Sequence, residues 1–264
     1  MLGLWRQSKP SMARSQAHPR PPAYDIALAI EHLSRADPRL RRLIERAGPF
    51  TMKLASAQSP FEALLQSIIY QQLHGKAAAA IHARVIGGFN PAETLKAALI
   101  HPSPQALLEC PNEQLRAAGL SHNKMLAVRD LAAKTLDGTV PTLARIRRMD
   151  DEAIIEHLTQ VRGIGRWTVE MMLMFRLGRP DVLPVSDYGV RKGFALTFQG
   201  LKPTQKVTPD LLPKPDVMHA RARKWHPWCT VASWYLWRAC DLAAADAAGA
   251  AAKPAKEVKK QPAE

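Results

Sequence analysis

Cysteine is scarce: three thiols, Cys110, Cys229 and Cys240, stand in 264 residues. Three cannot make a disulfide framework. Their spacing, with 118 and then 10 residues between them, gives no four-thiolate zinc or iron–sulfur site. A reducing compartment follows, with no cysteine-built cofactor. No apolar run approaches the length that spans a bilayer, so no membrane association is expected. No phosphate-cradling G-x-x-x-x-G-K-S/T loop and no dinucleotide fingerprint appears. His101, His122, His157, His219 and His226 are scattered without ligand spacing and are expected to be structural or exposed. Strand signals are nearly missing; Phe50, Met52 and Leu54 alternate with Thr51 and Lys53 in one weak period-two run. There is no internal repeat.

Acid is also in short supply. Lys and Arg outnumber Asp and Glu by 37 to 23, a net charge of +14. The first 24 residues hold four basic and no acidic residues, and residues 241–264 hold four of each. Most of the excess, +10, therefore lies in residues 25–240. A basic domain attracts polyanions, with nucleic acid first among them.

What is present is helix after helix. Phe61, Leu64, Leu65, Ile68 and Ile69 recur at helical spacing behind Ser59 and Pro60, a cap and a first-turn proline. Further helices are expected over 77–85, 121–136, from Asp150 through Leu158, over 166–177, from Ser186 or Asp187 to Phe198, and over 228–242. Residues 1–24, with Pro10, Pro19, Pro21 and Pro22, read as a disordered extension. They lack a secretory signal but would suit a mitochondrial leader. Residues 243–264 read as a flexible Ala/Lys/Pro tail. The fold class is all-α, with one domain over 25–242.

The sharpest segment is Leu158-Thr-Gln-Val-Arg-Gly-Ile-Gly-Arg-Trp-Thr-Val169. Two helical patterns flank a turn carrying Gly163 and Gly165. Glycines there tolerate positive φ and let backbone approach a ligand closely. A helix starting at the turn aims its N–H groups and positive dipole end outward, which suits a phosphate. Arg162 and Arg166 add cations. The ordinary alternative is a plain helix connection. The complete pattern, apolar-x-x-apolar-x-Gly-apolar-Gly-x-x-Thr, is far more specific than Gly-x-Gly alone.

This segment resembles the DNA-binding hairpin of the helix-hairpin-helix (HhH-GPD) DNA glycosylase superfamily. Three more segments agree in order. Ser67-Ile-Ile-Tyr-Gln-Gln-Leu-His-Gly-Lys-Ala-Ala78 resembles the helix and loop that fill the gap left by a flipped base. Gly119-Leu-Ser-His-Asn-Lys124 resembles a recurrent loop. Trp225 to Trp237 resembles the last helix of the 3-methyladenine DNA glycosylase II branch. The resemblance covers residues 25–242 and implies a two-lobed helical fold with the active-site cleft between the lobes. It looks like the compact form, without the N-terminal α/β domain.

Residue by residue, the resemblance implies the following. Asp187, twenty residues past Trp167, is the catalytic carboxylate, although by itself an Asp there reads as a helix cap. Trp237, Trp167 and, less directly, Met171 line the base pocket, while Trp225 and Trp228 are assigned to the core. Gln72 is the wedge, with Leu73 and His74 at the minor groove; read alone, Gln71 and Gln72 merely end a helix. Arg162, Gly163, Gly165, Arg166 and Thr168 bind the DNA backbone. The carbonyls of Thr159, Val161 and Gly163 match a site for Na⁺ or K⁺. No cofactor is needed for catalysis. Bifunctional relatives carry a lysine where this chain has Trp167, so hydrolysis without abasic-site lyase activity is implied. The expected substrate is double-stranded DNA bearing alkylated purines such as 3-methyladenine and 7-methylguanine. The protein is expected to be a monomer at the bacterial nucleoid, or nuclear. The alternatives are another lesion, such as ethenoadenine, an oxidised or a mismatched base, or DNA-damage binding without chemistry.

Overall fold

The computed structural model describes residues 20–55, 59–90 and 100–251. Among them the regular structure is helical: α1 (Ile26–Ala36), α2 (Pro38–Ala47), α3 (Pro60–Tyr70), α4 (Gly75–Gly87), α5 (Pro104–Glu109), α6 (Asn112–Ala117), α7 (His122–Leu136), α8 (Leu143–Ile146), α9 (Asp151–Leu158), α10 (Arg166–Met172), α11 (Tyr188–Phe198), α12 (Pro215–Ala222) and α13 (Cys229–Ala251). Most starts are written locally. Ser59, Ser121, Asp150 and Asp187 each accept a backbone N–H three residues ahead, the usual N-cap bond. Glu62 sits in the first turn of α3 behind Ser59 and Pro60, where a carboxylate favours the helix dipole.

Two compact units are present. One comprises the described residues between 55 and 169, together with Arg20. Within it α7 is the hub, packed against α3, α5 and α6, and α3 also meets α4. Leu64, Leu65, Ile68 and Ile69 from α3 are buried, as are Val128 and Leu131 from α7. The other unit comprises, among the described residues, 21–54 and 170–251. There α13 packs against α11, α2 and α1 around Leu33, Leu40, Phe194, Trp225, Val231 and Tyr235.

Asp37 anchors this second core. It caps α2, and its fully buried carboxylate accepts two bonds from Arg221, at 2.8 and 2.9 Å, and one from Trp225 Nε1 at 3.3 Å. Lys224 stands 3.1 Å away. Burial raises the Asp37 pKa, but the bonds from Arg221 and Lys224 outweigh it and hold the carboxyl below its ordinary value. A carboxyl depressed by folding stabilises the protein above its unfolded pKa of about 3.9 and loses that contribution as pH falls through the folded value. Asp37→Asn is therefore expected to cost about 3 kcal/mol at neutral pH, by stranding Arg221. Urea unfolding at a series of pH values should show the gap to wild type closing below about pH 4.

Several sequence expectations shift. The Phe50–Leu54 run makes no strand: Met52 and Leu54 are buried and Thr51 and Lys53 exposed, with Leu54 an isolated bridge residue. The last helix runs on to Ala251, into the expected tail, because Ala-rich sequence continues a helix readily. Tyr24, placed in the disordered extension, packs on the second core beside Trp228, with ring centroids 5.9 Å apart. Asp187 rather than Ser186 opens α11. After α10 the chain widens into a π-helical turn, Leu173–Leu177. It ends at Gly178 in the left-handed region, where a Cβ would strike Leu54. Most of residues 1–24 and 243–264 lies outside the described residues.

Candidate functional site

In the first unit, the chain leaves α3 at Gln71 and enters the loop Gln72-Leu73-His74. Gln72 has φ +57°, the one non-glycine residue at positive φ among the described residues. Such a backbone costs about 1 kcal/mol or more and tends to persist where neighbours impose it. The neighbours are specific. Lys124 Nζ donates to the carbonyls of Ile69 and Gln71, at 2.7 and 2.8 Å. Burial lowers the pKa of this ammonium. The motif Gly119 to Lys124 builds the brace: Gly119 turns at φ +100°, Ser121 caps α7, and Lys124 falls on its first turn. Gln71 Nε2 donates to the Gly163 carbonyl at 2.8 Å, tying this loop to the hairpin. Gln72, Leu73 and His74 are all exposed.

The hairpin joins α9 to α10. Gly163 has φ +78° and so needs glycine, whereas Gly165 has ordinary φ and leaves room for a Cβ. Asp130 of α7 supports the turn, accepting the Arg162 N–H at 2.7 Å and Lys134 Nζ at 2.8 Å. α10 begins at Arg166, just after Gly165, whose carbonyl accepts from the N–H groups of Thr168 and Val169. Arg166 is held by Glu152 in a two-pronged ion pair, at 2.6 and 2.7 Å. Arg166 stays exposed, as a cation able to meet a phosphate must be, but its charge is shared with Glu152. The Val161 carbonyl accepts from Ile164 N–H and the Gly163 carbonyl from Gln71. Each retains a second lone pair that suits a hard monovalent cation. Trp167 is 46% exposed.

The second unit holds Asp187. It caps α11, accepting the Val190 N–H at 2.8 Å on Oδ1. The same oxygen accepts Trp237 Nε1 at 2.8 Å. Trp237 stacks on Phe175, with centroids 5.7 Å apart and planes 28° apart. Gly189 makes the approach feasible, since a Cβ there would lie 2.6 Å from the indole. The loop before Asp187 is stitched to the start of α13. Thr230 Oγ1 donates to the Arg179 carbonyl and accepts from Val182 N–H, while Thr230 N–H donates to the Pro180 carbonyl. Met171 is half-buried. Trp225 is fully buried and Trp228 half-buried, both in the core as expected. A carboxylate fixed by two donors on one oxygen is a pre-aligned anion, able to stabilise a developing cation or to orient water.

Sequence reasoning missed Lys124 as a brace, Asp130 as a support and Gln71 as a tether. Lys124 carried a signal, as the last residue of the Gly119 loop. Asp130 and Gln71 carried none, because both act over distances that only the fold brings together.

An all-α fold with a glycine-turned hairpin on one unit and an indole-held carboxylate on the other defines a helix-hairpin-helix protein. The profile of HhH-GPD superfamily base excision DNA repair proteins matches residues 65–215. The chain belongs to that superfamily. It is similar to DNA-3-methyladenine glycosylase 1 of Schizosaccharomyces pombe, with 34% identity over 216 residues, 80% of this chain and 86% of the relative. A solved 3-methyladenine DNA glycosylase from that yeast, in complex with abasic DNA, matches with TM-score 0.64 at 32% identity, over 80% of this chain and 95% of that one. A DNA-3-methyladenine glycosidase from Bacillus halodurans gives TM-score 0.66 at 32% identity, over 83% and 91%.

Proposed function

We propose that this protein excises alkylated purines, 3-methyladenine and 7-methylguanine among them, from double-stranded DNA and leaves an abasic site. Family membership and relatives bearing the 3-methyladenine glycosylase name support the reaction class. The observation that carries the reading to this chain is Asp187, its Oδ1 fixed by the α11 N–H and the Trp237 indole.

In this reading the bond from C1′ to the base nitrogen breaks, and the base takes the electron pair. The sugar becomes oxocarbenium-like, and Asp187 stabilises that charge. Water adds its oxygen to C1′, and its proton passes to Asp187 or to solvent. N3- and N7-alkylpurines are cationic and leave as neutral bases, so one carboxylate suffices. The same cationic character draws them to electron-rich rings, worth about 1–2 kcal/mol when desolvated. Trp237 supplies one such ring, and Trp167 and Met171 are proposed to take part in recognising the base. No lysine stands at position 167, so the enzyme hydrolyses without cutting the strand.

Flipping the base costs a few kcal/mol. Gln72 fills the vacated stack, with Leu73 and His74 against the minor groove. Arg162, Gly163, Gly165, Arg166 and Thr168 take the backbone, with Arg166 exchanging Glu152 for phosphate. Na⁺ or K⁺ sits at the carbonyls of Thr159, Val161 and Gly163, sharing the last with Gln71. The protein acts as a monomer, wherever the DNA is, in a bacterial cytoplasm or a nucleus. No helix among the described residues is long and apolar enough to cross a membrane.

Single-turnover incubation with methylated duplex tests the reading. Methylpurine release with strand breaks only after alkali is expected. No release, or breaks without alkali, would count against it. A second variant tests the wedge. Lys124→Met removes both bonds to the loop, a loss of about 2 kcal/mol. It should slow release from duplex several-fold and leave release from a methylated single strand, which needs no wedge, unchanged. Equal slowing on both substrates would detach Lys124 from flipping.

A further inference from the structure

We propose that Asp181, His226 and Cys229 form a binding site for a thiophilic divalent cation, with Zn²⁺ its natural occupant. The three side chains come from the loop before Asp187 and from the start of α13, and the site needs no contribution from the reaction above. His226 Nδ1 lies 2.7 Å from Asp181 Oδ2 and 3.7 Å from Cys229 Sγ. The three ligand atoms all fall within 4.8 Å of one another.

One of the three distances matches a bound ion and the other two need small adjustments, with Asp181 oxygen and Cys229 sulfur, within 4.8 Å, closing towards about 3.6 Å. With bonds of about 2.0 Å to nitrogen and 2.3 Å to sulfur, a tetrahedral Zn²⁺ sets N and S about 3.6 Å apart. The observed 3.7 Å already matches. Nitrogen and carboxylate oxygen would sit about 3.3 Å apart in the same geometry. The pair would open by roughly 0.6 Å as their hydrogen bond is replaced by two bonds to the metal. The mixture of thiolate, imidazole and carboxylate favours zinc over calcium or magnesium, which choose oxygen.

Access and support are both present. Cys229 is buried, the Asp181 side chain is 32% exposed and the His226 side chain 55% exposed. Cys229 itself has no exposed surface, so an ion reaches its sulfur only as the half-exposed imidazole of His226 swings aside. The other carboxylate oxygen, Asp181 Oδ1, accepts the Cys229 N–H at 3.2 Å. That bond orients the carboxylate, as bonds to metal-binding carboxylates usually do. Three protein ligands leave the fourth position to water. On binding, the thiol proton is released to solvent as the S–Zn bond forms, and the imidazole proton moves from Nδ1 to Nε2.

The proposal departs from the sequence expectations that His226 has no ligand spacing and that no cofactor is built on cysteine. His226-x-x-Cys229 is ligand spacing, and its third member stands 45 residues earlier. Asp181 precedes Asp187 by six residues, and Cys229 precedes Trp237 by eight. An ion here would staple together the two segments that meet in the Asp187–Trp237 bond.

The test is competition for Zn²⁺ between the reduced full chain and a chromophoric chelator, beside a Co²⁺ titration. Wild type is expected to bind one Zn²⁺ at about a micromolar or tighter and to show a near-ultraviolet thiolate-to-Co²⁺ band. His226→Ala, at an exposed position, and Cys229→Ser should each weaken Zn²⁺ at least about tenfold, and Cys229→Ser should abolish the band. Wild type that binds no Zn²⁺ would overturn the proposal. So would equal affinity in wild type and His226→Ala, or a wild-type Co²⁺ spectrum without the thiolate band.

Discussion

Asp187→Asn is expected to abolish methylpurine release while leaving the protein folded and bound to DNA. Asn caps helices as well as Asp does, so the Val190 N–H keeps its acceptor. The Asn carbonyl also keeps a lone pair for the Trp237 indole. What disappears is the negative charge. A fixed charge beside a developing cation in a water-poor site is worth about a hundredfold to a thousandfold in rate. Single-turnover release from methylated duplex should fall by that factor. Affinity for DNA carrying an abasic analogue should stay within about threefold, since phosphate contacts dominate it. A matched fall in binding and release, or a lowered melting temperature, would make Asp187 a structural cap and sink its catalytic role.

The largest effect on stability is expected from Gly193→Ala. Gly193 sits in α11, where a Cβ would overlap the backbone carbonyl of Leu236 in α13. Backbone cannot swing aside as a side-chain tip can, so the two helices must separate. That would loosen the shared core of Phe194, Tyr235 and Trp225. Overpacking of this kind should cost at least about 3 kcal/mol and lower the melting temperature by roughly 10 °C. Gly87→Ala is the matching control: it too is helical, but a Cβ there meets nothing within 4 Å. It should be neutral or stabilising by up to about 1 kcal/mol. Equal melting temperatures for the two variants would mean that α11 and α13 have slack between them.

Helices were legible because their signals are local. Ser59-Pro60, Ser121 and Asp150 announce their helices through bonds made within three residues. Asp187 was legible as a cap for the same reason, whereas its assignment as the catalytic carboxylate rested on the resemblance of its spacing from the hairpin to the family's. The Trp237 bond to Asp187 spans fifty residues, and periodicity does not report which face of α13 turns towards which neighbour. Arg166 shows the limit from the other side. The sequence displays a cation in the glycine turn, and only the fold shows Glu152 holding it. The Phe50–Leu54 alternation was real as burial but misleading as pairing, because a strand also needs a partner edge. The extent of α13 was underestimated because alanine repeats read equally well as tail and as helix.

The Glu152–Arg166 pair bears on how such a protein searches DNA. Affinity for a phosphate lattice grows with the number of counterions displaced. A guanidinium already neutralised by its own carboxylate displaces few. Arg221 on Asp37, Arg46 on Asp246 and Lys134 on Asp130 are likewise spent within the fold. The count of 37 Lys and Arg therefore overstates the grip on undamaged duplex, and the net charge of +14 is the nearer guide. Each such pair must open before its cation can meet a phosphate, so internal ion pairing tempers binding to intact sequence while the net positive field remains.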